Sequence, residues 1–294
     1  MSRAADPSRA GPWLWLGPAL LVLGAIYLWP LLDAVRLAFT DATLLRAPTR
    51  VSLDAFAAVL SDPALPGILR VTGIFTAASV ILLQALGLGI ALLVHRGDRR
   101  GLPGMAALRA LVLAAWVVPG IANGVIWQIV FSEAPFGGLN AVLAVVGLGP
   151  VAWLSDPALA MLSAIIANIW QGTAFSMILY YAALKGLDPA LQEAAKVDGA
   201  SALDRFALVT LPQLKGTILA GSVLVTIQTL GTFDSILALT GGGPGQATEV
   251  LSLYTYNTVF RGFDLSRGAV LALLLAALSL AAAALYALIL RERR

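Results

Sequence analysis

The chain has 294 residues, of which 59% are hydrophobic and only 12% charged, with a mean hydropathy of +0.88 and a formal net charge of +3. A soluble domain carries about 25% charged residues, so this composition excludes a water-soluble, disordered or nucleic-acid-binding chain, and a pI near 9.4 that rests on three net charges does not indicate a polyanion partner. Zero Cys and a single His, His95, remove disulfide frameworks, thiolate nucleophiles, Cys-ligated metals and His clusters.

What is left is an all-α integral membrane protein. A spanning helix needs about 20 apolar residues, because the hydrocarbon core is about 30 Å thick and each residue rises about 1.5 Å. The first qualifying stretch is Trp13–Phe39. Arg3 and Arg9 precede it, but it is too long for a secretory h-region and no clear A-x-A site follows, so a retained anchor is expected. Near its end, Asp33 and Arg36 stand at i,i+3 as an ion pair.

The second span is Val71–Val94, followed by His95 among Arg96, Arg99 and Arg100. The third, Met105–Phe131, contains Trp116, Val118-Pro119-Gly120, Asn123 and Gln128. Glu133 and Asp156 then bracket a neutral stretch whose apolar run, Leu139–Val146, is too short to cross and is expected on the outer surface. The fourth span, Ala158–Leu184, offers Asn168, Gln171, Thr173, Ser176 and Tyr180. The fifth, Thr217–Leu239, offers Thr226, Gln228, Thr229 and Thr232, with Asp234 near its outer end. Gly268–Leu290 is the sixth.

Polar side chains inside spans are expensive, so they mark either a solute path or hydrogen bonds between helices. Asn168 with Gln171, and Thr229 with Thr232, are i,i+3 pairs. Their amides and hydroxyls both donate and accept, which suits a neutral polyhydroxy ligand. Gly241–Gly243 with Pro244 neither opens a helix after a strand nor faces the side a nucleotide would occupy, so it reads as a shaped outer loop.

Loop charge sets the orientation. With the amino terminus inside, the inner segments hold thirteen Lys and Arg against five outside, with Arg36 at a span end, so both termini are expected in the cytoplasm. No internal repeat or second domain is evident, and the chain reads as one transmembrane domain, a single helical bundle, over residues 1–294.

The longest inner loop, residues 185–216, carries its own structural signals. Asp188 is an N-cap with Pro189 at the first helical position, and Pro189–Asp198 forms a short helix. Gly199 supplies the positive φ that ends it. Ser201 caps a second helix, with Asp204 three residues on, and Pro212 is expected to close that helix as the chain re-enters the bilayer. On pattern alone this element serves either docking or packing.

Here a resemblance becomes specific. Glu193-Ala-Ala-Lys-Val-Asp-Gly-Ala200, then Phe206 and Leu211-Pro212, resembles the EAA loop of binding-protein-dependent ABC importer permeases. Phe233-Asp234, Thr240-Gly-Gly-Gly-Pro244 and Thr248-Glu249 resemble the outer loop of carbohydrate importers of the maltose-transporter type. The likeness runs over residues 13 to 290 and covers a six-span core, without the extra amino-terminal spans and large outer domain of the larger maltose permease.

The resemblance implies a type I permease in the bacterial or archaeal inner membrane. A second permease subunit, a dimer of ATPase subunits and an extracytoplasmic solute-binding protein would complete the transporter. It implies no catalytic residue, metal or cofactor in this chain; ATP and Mg would be used by the partner ATPase. Consistently, no phosphate-cradling G-x-x-x-x-G-K-[ST] loop exists, and Leu214-Lys215-Gly216-Thr217 lacks the preceding glycines. The same likeness assigns ATPase coupling to Glu193, Ala194, Ala195, Asp198, Gly199 and Pro212. It assigns the substrate path to Trp116, Gly120, Asn168, Gln171, Gly172, Val225, Thr229 and Thr232, for a sugar or related polyol or glycoside.

Two other classes fit less well. An ion-coupled secondary transporter would show repeated spans and a buried coupling carboxylate. An intramembrane hydrolase would need a Ser–His or paired-Asp constellation, for which His95 is misplaced and Asp234 has no carboxylate neighbour.

Overall fold

A computed structural model describes residues 12–134 and 136–291; Arg3, Arg9, Arg293 and Arg294 of the charge count lie outside them. Among the described residues the regular elements are all helices, joined by turns and loops, with two isolated bridges, Thr40 with Val51 and Thr43 with Arg46. In chain order the helices are α1 (Pro12–Leu23), α2 (Trp29–Ala38), α3 (Asp54–Leu60), α4 (Leu65–Arg99), α5 (Met105–Val117), α6 (Gly120–Val130), α7 (Gly138–Val145) and α8 (Pro157–Lys185). There follow α9 (Pro189–Val197), α10 (Ala202–Asp204), α11 (Leu211–Gly231), α12 (Asp234–Leu239), α13 (Leu251–Phe260) and α14 (Leu265–Arg291).

Five helices are long and apolar enough to cross a membrane, six if α5 and α6 count as one span bent by 103°. The contacts of α4 with α8 show that this pair does carry the chain across. A Cβ on Gly87 would meet Ser176, and one on Gly172 would meet Leu83, a constant offset of 89 residues. Helices α4 and α8 are therefore parallel, and the chain must traverse once between them. The 35 residues of α4 would extend roughly 50 Å, well beyond the hydrocarbon.

Three boundaries differ from the sequence reading. The third span is not one rod: Val118 is extended (φ −67°, ψ 125°) and Pro119 cannot donate to a helical ladder, so the helix stops at Val117 and restarts at Gly120. The fifth span ends at Gly231 rather than Leu239. Thr232 leaves the helix at ψ 117°, and Asp234–Leu239 is a separate short helix packed on α6. Asp234 thus starts α12 instead of sitting inside a span. Finally, Pro212 closes nothing. A π-helical turn, Arg205–Thr210, in which the Leu211 N–H reaches the Phe206 carbonyl, loosens the ladder where the proline ring would clash. The helix passes through it into α11. The same device, Gly24–Leu28 with Trp29 N–H bonded to Gly24, precedes Pro30 in the first span.

The chain divides into two compact units. Among the described residues, one comprises 12–62 and 257–274. It is held by Leu44 N–H donating to Phe263, by a buried Thr40–Ser266 hydroxyl pair at 3.1 Å, and by an Arg267–Asp62 ion pair at 3.1 Å. The other comprises, among the described residues, 63–256 and 275–291 and contains α4 to α12. In it α11 runs antiparallel to α4, since Gln84 bonds Ser222 (2.9 Å) while Val80 and Leu83 pack on Val225. Small residues set these spacings: Gly87 and Gly221 lie where a side chain would strike the neighbouring helix.

Candidate functional site

Two regions of the second unit concentrate polar chemistry. The first lies part-way along α4, α8 and α11. The α4–α8 offset puts Ser79 at the level of Asn168. Both are buried, as are Thr76, Thr173, Val225, Thr226 and Thr229. Some of these groups are spoken for: Thr173 bonds back to the Ile169 carbonyl at 2.6 Å, and the Thr226 hydroxyl lies 3.3 Å from the Tyr286 hydroxyl. Others are not. Among the described residues, Asn168 Nδ2, Thr76 Oγ1, Ser79 Oγ and Asn123 Oδ1 are buried without a hydrogen-bond partner. A buried group left so costs about 1–3 kcal/mol. This level of the unit therefore holds donors and acceptors not used by the protein itself.

Thr76 and Ser79 were not singled out in the sequence. They were findable: Thr72, Thr76 and Ser79 follow one helical face through an apolar run. Thr72 is structural, donating to Ile68 and accepting from the Leu251 N–H at 2.8 Å.

The break in the third span is adjacent. Gln171 Nε2 donates to the Val118 carbonyl at 2.5 Å, and its Oε1 accepts from Asn123 Nδ2 at 3.2 Å. Asn123 also bonds the Ala167 carbonyl at 3.3 Å. Extended geometry takes the Val118 carbonyl out of the helical ladder, and Gln171 satisfies it. Gly120 opens α6 against the Asp234 carboxylate, and Gly124 lies against the backbone of Ser235. Trp116 is half-exposed and tilted on Phe175 at 6.3 Å. Thr232 donates to the Gln228 carbonyl at 3.1 Å, and its own carbonyl accepts from Ser252. Of the eight path residues, Asn168, Val225 and Thr229 are buried, Gln171 sits at the break beside Gly120, Gly172 is pressed against Leu83, and Trp116 and Thr232 are more open.

The second region is residues 185–216. Asp188 accepts from the Ala190 N–H and starts α9; Gly199 ends it at φ 80°; Ser201 and Asp204 form a reciprocal capping box. No residue of α9 is buried: Glu193 and Ala194 are exposed, and Ala195 half-buried. Val197 is 87% exposed and Leu191 49%. Only Gln192 reaches out, to the Thr210 hydroxyl at 2.9 Å. A capped helix with apolar residues uncovered at an aqueous end is built to be covered by something else. At its root, Tyr181 donates to Asp98, which Arg109 also meets at 2.6 Å, tying α4, α5 and α8 together.

At the opposite end, Glu133 accepts from the Ser155 hydroxyl, which does most to lower its carboxyl pKa, and from the Leu154 and Ser155 N–H groups, which act in the same direction. Asn140 pins Val151 and Trp153, so α7 is a fixed surface element. Thr248 closes the glycine loop by donating to the Gly243 carbonyl at 2.8 Å. No group of three or more metal-ligating side chains occurs among the described residues.

Residues 85–294 match the family described as binding-protein-dependent transport system inner membrane component. The trehalose/maltose transport system permease protein MalF of Thermococcus litoralis is 34% identical, covering 96% of this chain and 94% of the relative. The lactose transport system permease protein LacF of Rhizobium radiobacter is 32% identical over 85% of this chain and 83% of its own length. Among solved structures, a chain of a bacterial alginate ABC transporter in complex with an alginate pentasaccharide-bound periplasmic protein aligns at TM-score 0.78. It is 22% identical, over 93% of this chain and 92% of that one.

Proposed function

The chain belongs to the family of binding-protein-dependent transport system inner membrane components, and from that premise we propose that it carries a sugar or a related polyol or glycoside across the membrane. It is a multi-pass permease subunit of an ABC importer, a transport subunit with the type I permease fold. An ion-coupled secondary mechanism does not accompany that membership.

The observation that carries the substrate class is the unspent hydrogen-bonding capacity around Asn168, Ser79 and Thr76, in a region without Lys, Arg or His. Amides and hydroxyls that can donate or accept meet the hydroxyls of a neutral solute on equal terms. The names of the trehalose/maltose and lactose relatives support the same class. In this reading Asn168, Gln171, Gly172, Val225, Thr229, Thr232, Trp116 and Gly120 line or shape the path, and Gln171 acts by holding the break at Val118.

A solute-binding protein would deliver the solute at the Gly241–Pro244 end, as the periplasmic protein in the alginate transporter structure suggests. A second permease subunit would complete the path. ATP and Mg would be used by a pair of ATPase subunits seated on α9, with Glu193 facing basic groups, Ala194 and Ala195 allowing close approach, and Asp198, Gly199 and Pro212 setting the geometry. In this reading both termini lie in the cytoplasm of a bacterial or archaeal cell.

The test is ATP-dependent uptake of labelled disaccharide into proteoliposomes holding the assembled transporter. Asn168→Leu keeps bulk but removes donor and acceptor. An unpaired solute hydroxyl should cost about 1–3 kcal/mol, slowing uptake roughly 5- to 150-fold while assembly and basal ATPase activity persist. Undisturbed uptake would remove Asn168 from the path, and failed assembly would make it a bond between helices.

A further inference from the structure

At the α9 end, the terminal turns of α4 and α8, the loop helix α9 and the turn after it enclose an open cleft of about 820 Å³. Six cationic side chains line it: Arg96, Arg99, Arg100, Lys185, Lys196 and Arg205. Only Asp188 and Glu193 oppose them there. Nor do nearby carboxylates neutralise them. Asp98 is taken by Arg109 and Tyr181, Asp204 by Ser201, and Asp188 caps α9. Arg96, Arg99, Arg100, Lys185 and Lys196 form no ion pair among the described residues; Lys185 instead lies 5.0 Å above the Tyr181 ring.

The floor of the cleft is different. Toward the spans it is apolar: Leu92 lies one turn before Arg96 on α4 and Leu184 directly before Lys185 on α8, with Leu187 and Phe206 also in the lining. A concave wall of one sign over a low-dielectric floor concentrates its field on whatever enters. The apolar runs of α4 and α8 stop at Val94 and Leu184, so the cleft opens where the two spans leave the hydrocarbon. Cations above and hydrocarbon below match one chemistry, a phosphate ester on a glycerol bearing acyl chains.

We propose that this cleft binds the headgroup of an anionic phospholipid, whose phosphate bridges Arg99 and Arg100, at the end of α4, to Lys196 of α9. The lipid then forms part of the wall that holds the loop helix on the spans. The placement of this end at the cytoplasmic leaflet rests on the orientation proposed above; the binding itself does not. A free inorganic anion shares the phosphate chemistry but would leave the apolar floor unused.

Native mass spectrometry of the assembled transporter, titrated with phosphatidylglycerol or with phosphatidylcholine of the same chain length, tests this. Each cation near such a headgroup is worth about fivefold in affinity, so Arg99→Gln with Arg100→Gln should weaken phosphatidylglycerol binding roughly 30-fold. Arg99→Lys with Arg100→Lys, which keeps the charge, should restore it. Lys215→Gln, which removes a charge outside the cleft, should leave it within about twofold. Equal phosphatidylglycerol binding by the wild type and the Gln pair overturns the proposal. So does stabilisation of the complex by inorganic phosphate that the Gln pair loses, which would make the occupant a soluble anion. Loss of ATPase subunits with lipid binding unchanged would also overturn it, assigning the cleft to an acidic surface of that partner.

Discussion

Replacing Gln171 with Leu separates the two jobs that its position allows. The amide holds the Val118 carbonyl at 2.5 Å and accepts from Asn123 at 3.2 Å, so it braces the 103° break in the third span. Hydrogen bonds between membrane helices are worth about 0.6 kcal/mol on average and up to about 1.7. Two are lost, and the Val118 carbonyl has no helical donor to return to, which adds an unsatisfied-acceptor cost within the 1–3 kcal/mol range. The net loss should be about 2 kcal/mol, a fall of roughly 4–8 °C in the thermal midpoint of the purified complex. Asn123→Leu leaves the bond to Val118 intact and should cost less. The double variant should be less destabilised than the sum of the two, by about 0.6–1.7 kcal/mol. Scanning fluorimetry of the four proteins completes the cycle. Full additivity, or a Gln171→Leu protein as stable as the wild type, would refute the bracing role.

Gly87→Val puts a Cβ 2.3 Å from that of Ser176, where carbon contacts need about 3.5–4.0 Å; α4 and α8 must part, at a cost of about 1–3 kcal/mol, read as a lower yield of stable complex. In the absence of any native Cys, Gly149→Cys should label from outside with an impermeant thiol reagent, and Val197→Cys only after the membrane is opened; both positions have room. The Asp41 carboxyl is held far below the ordinary carboxylate range, first by the Thr49 hydroxyl and then by the Thr49 N–H. Its contribution to loop order is therefore complete above the ordinary carboxylate pKa and is lost only as pH falls through the depressed native value. Thr49→Ala should move the acid transition of the 39–52 loop to higher pH, measured by proteolysis against pH.

Much of this was legible in the sequence because its causes are local. Twenty apolar residues mark a span whatever surrounds it, and Asp188, Gly199 and Ser201 announce the ends of short helices through cap chemistry that needs no tertiary partner. The path of the chain inside the membrane was not legible. Hydropathy is blind to the bend at Val118–Pro119, because apolar residues continue through it and the orphaned carbonyl is met by Gln171, fifty-three residues away. It is equally blind to the end of the fifth span, where Ile236 and Leu239 are apolar because α12 packs on α6, not because the span continues. Pro212 misled for a related reason: a proline ends a helix unless a π turn absorbs it, and the ladder that permits the turn is not written in residue types.

The central claim is that energy from ATP enters this chain through α9. Its most direct test is ATP-driven disaccharide uptake by the reconstituted transporter carrying Glu193→Lys. The exposed Glu193 caps nothing and forms no ion pair among the described residues, so insertion of the permease should be normal. If α9 seats on a basic, desolvated ATPase surface as proposed, a reversed charge there would cost several kcal/mol, roughly 2–5. Uptake should therefore collapse together with ATPase co-purification, while phosphatidylcholine-reconstituted permease stays folded. Uptake and ATPase binding at wild-type levels would contradict the account.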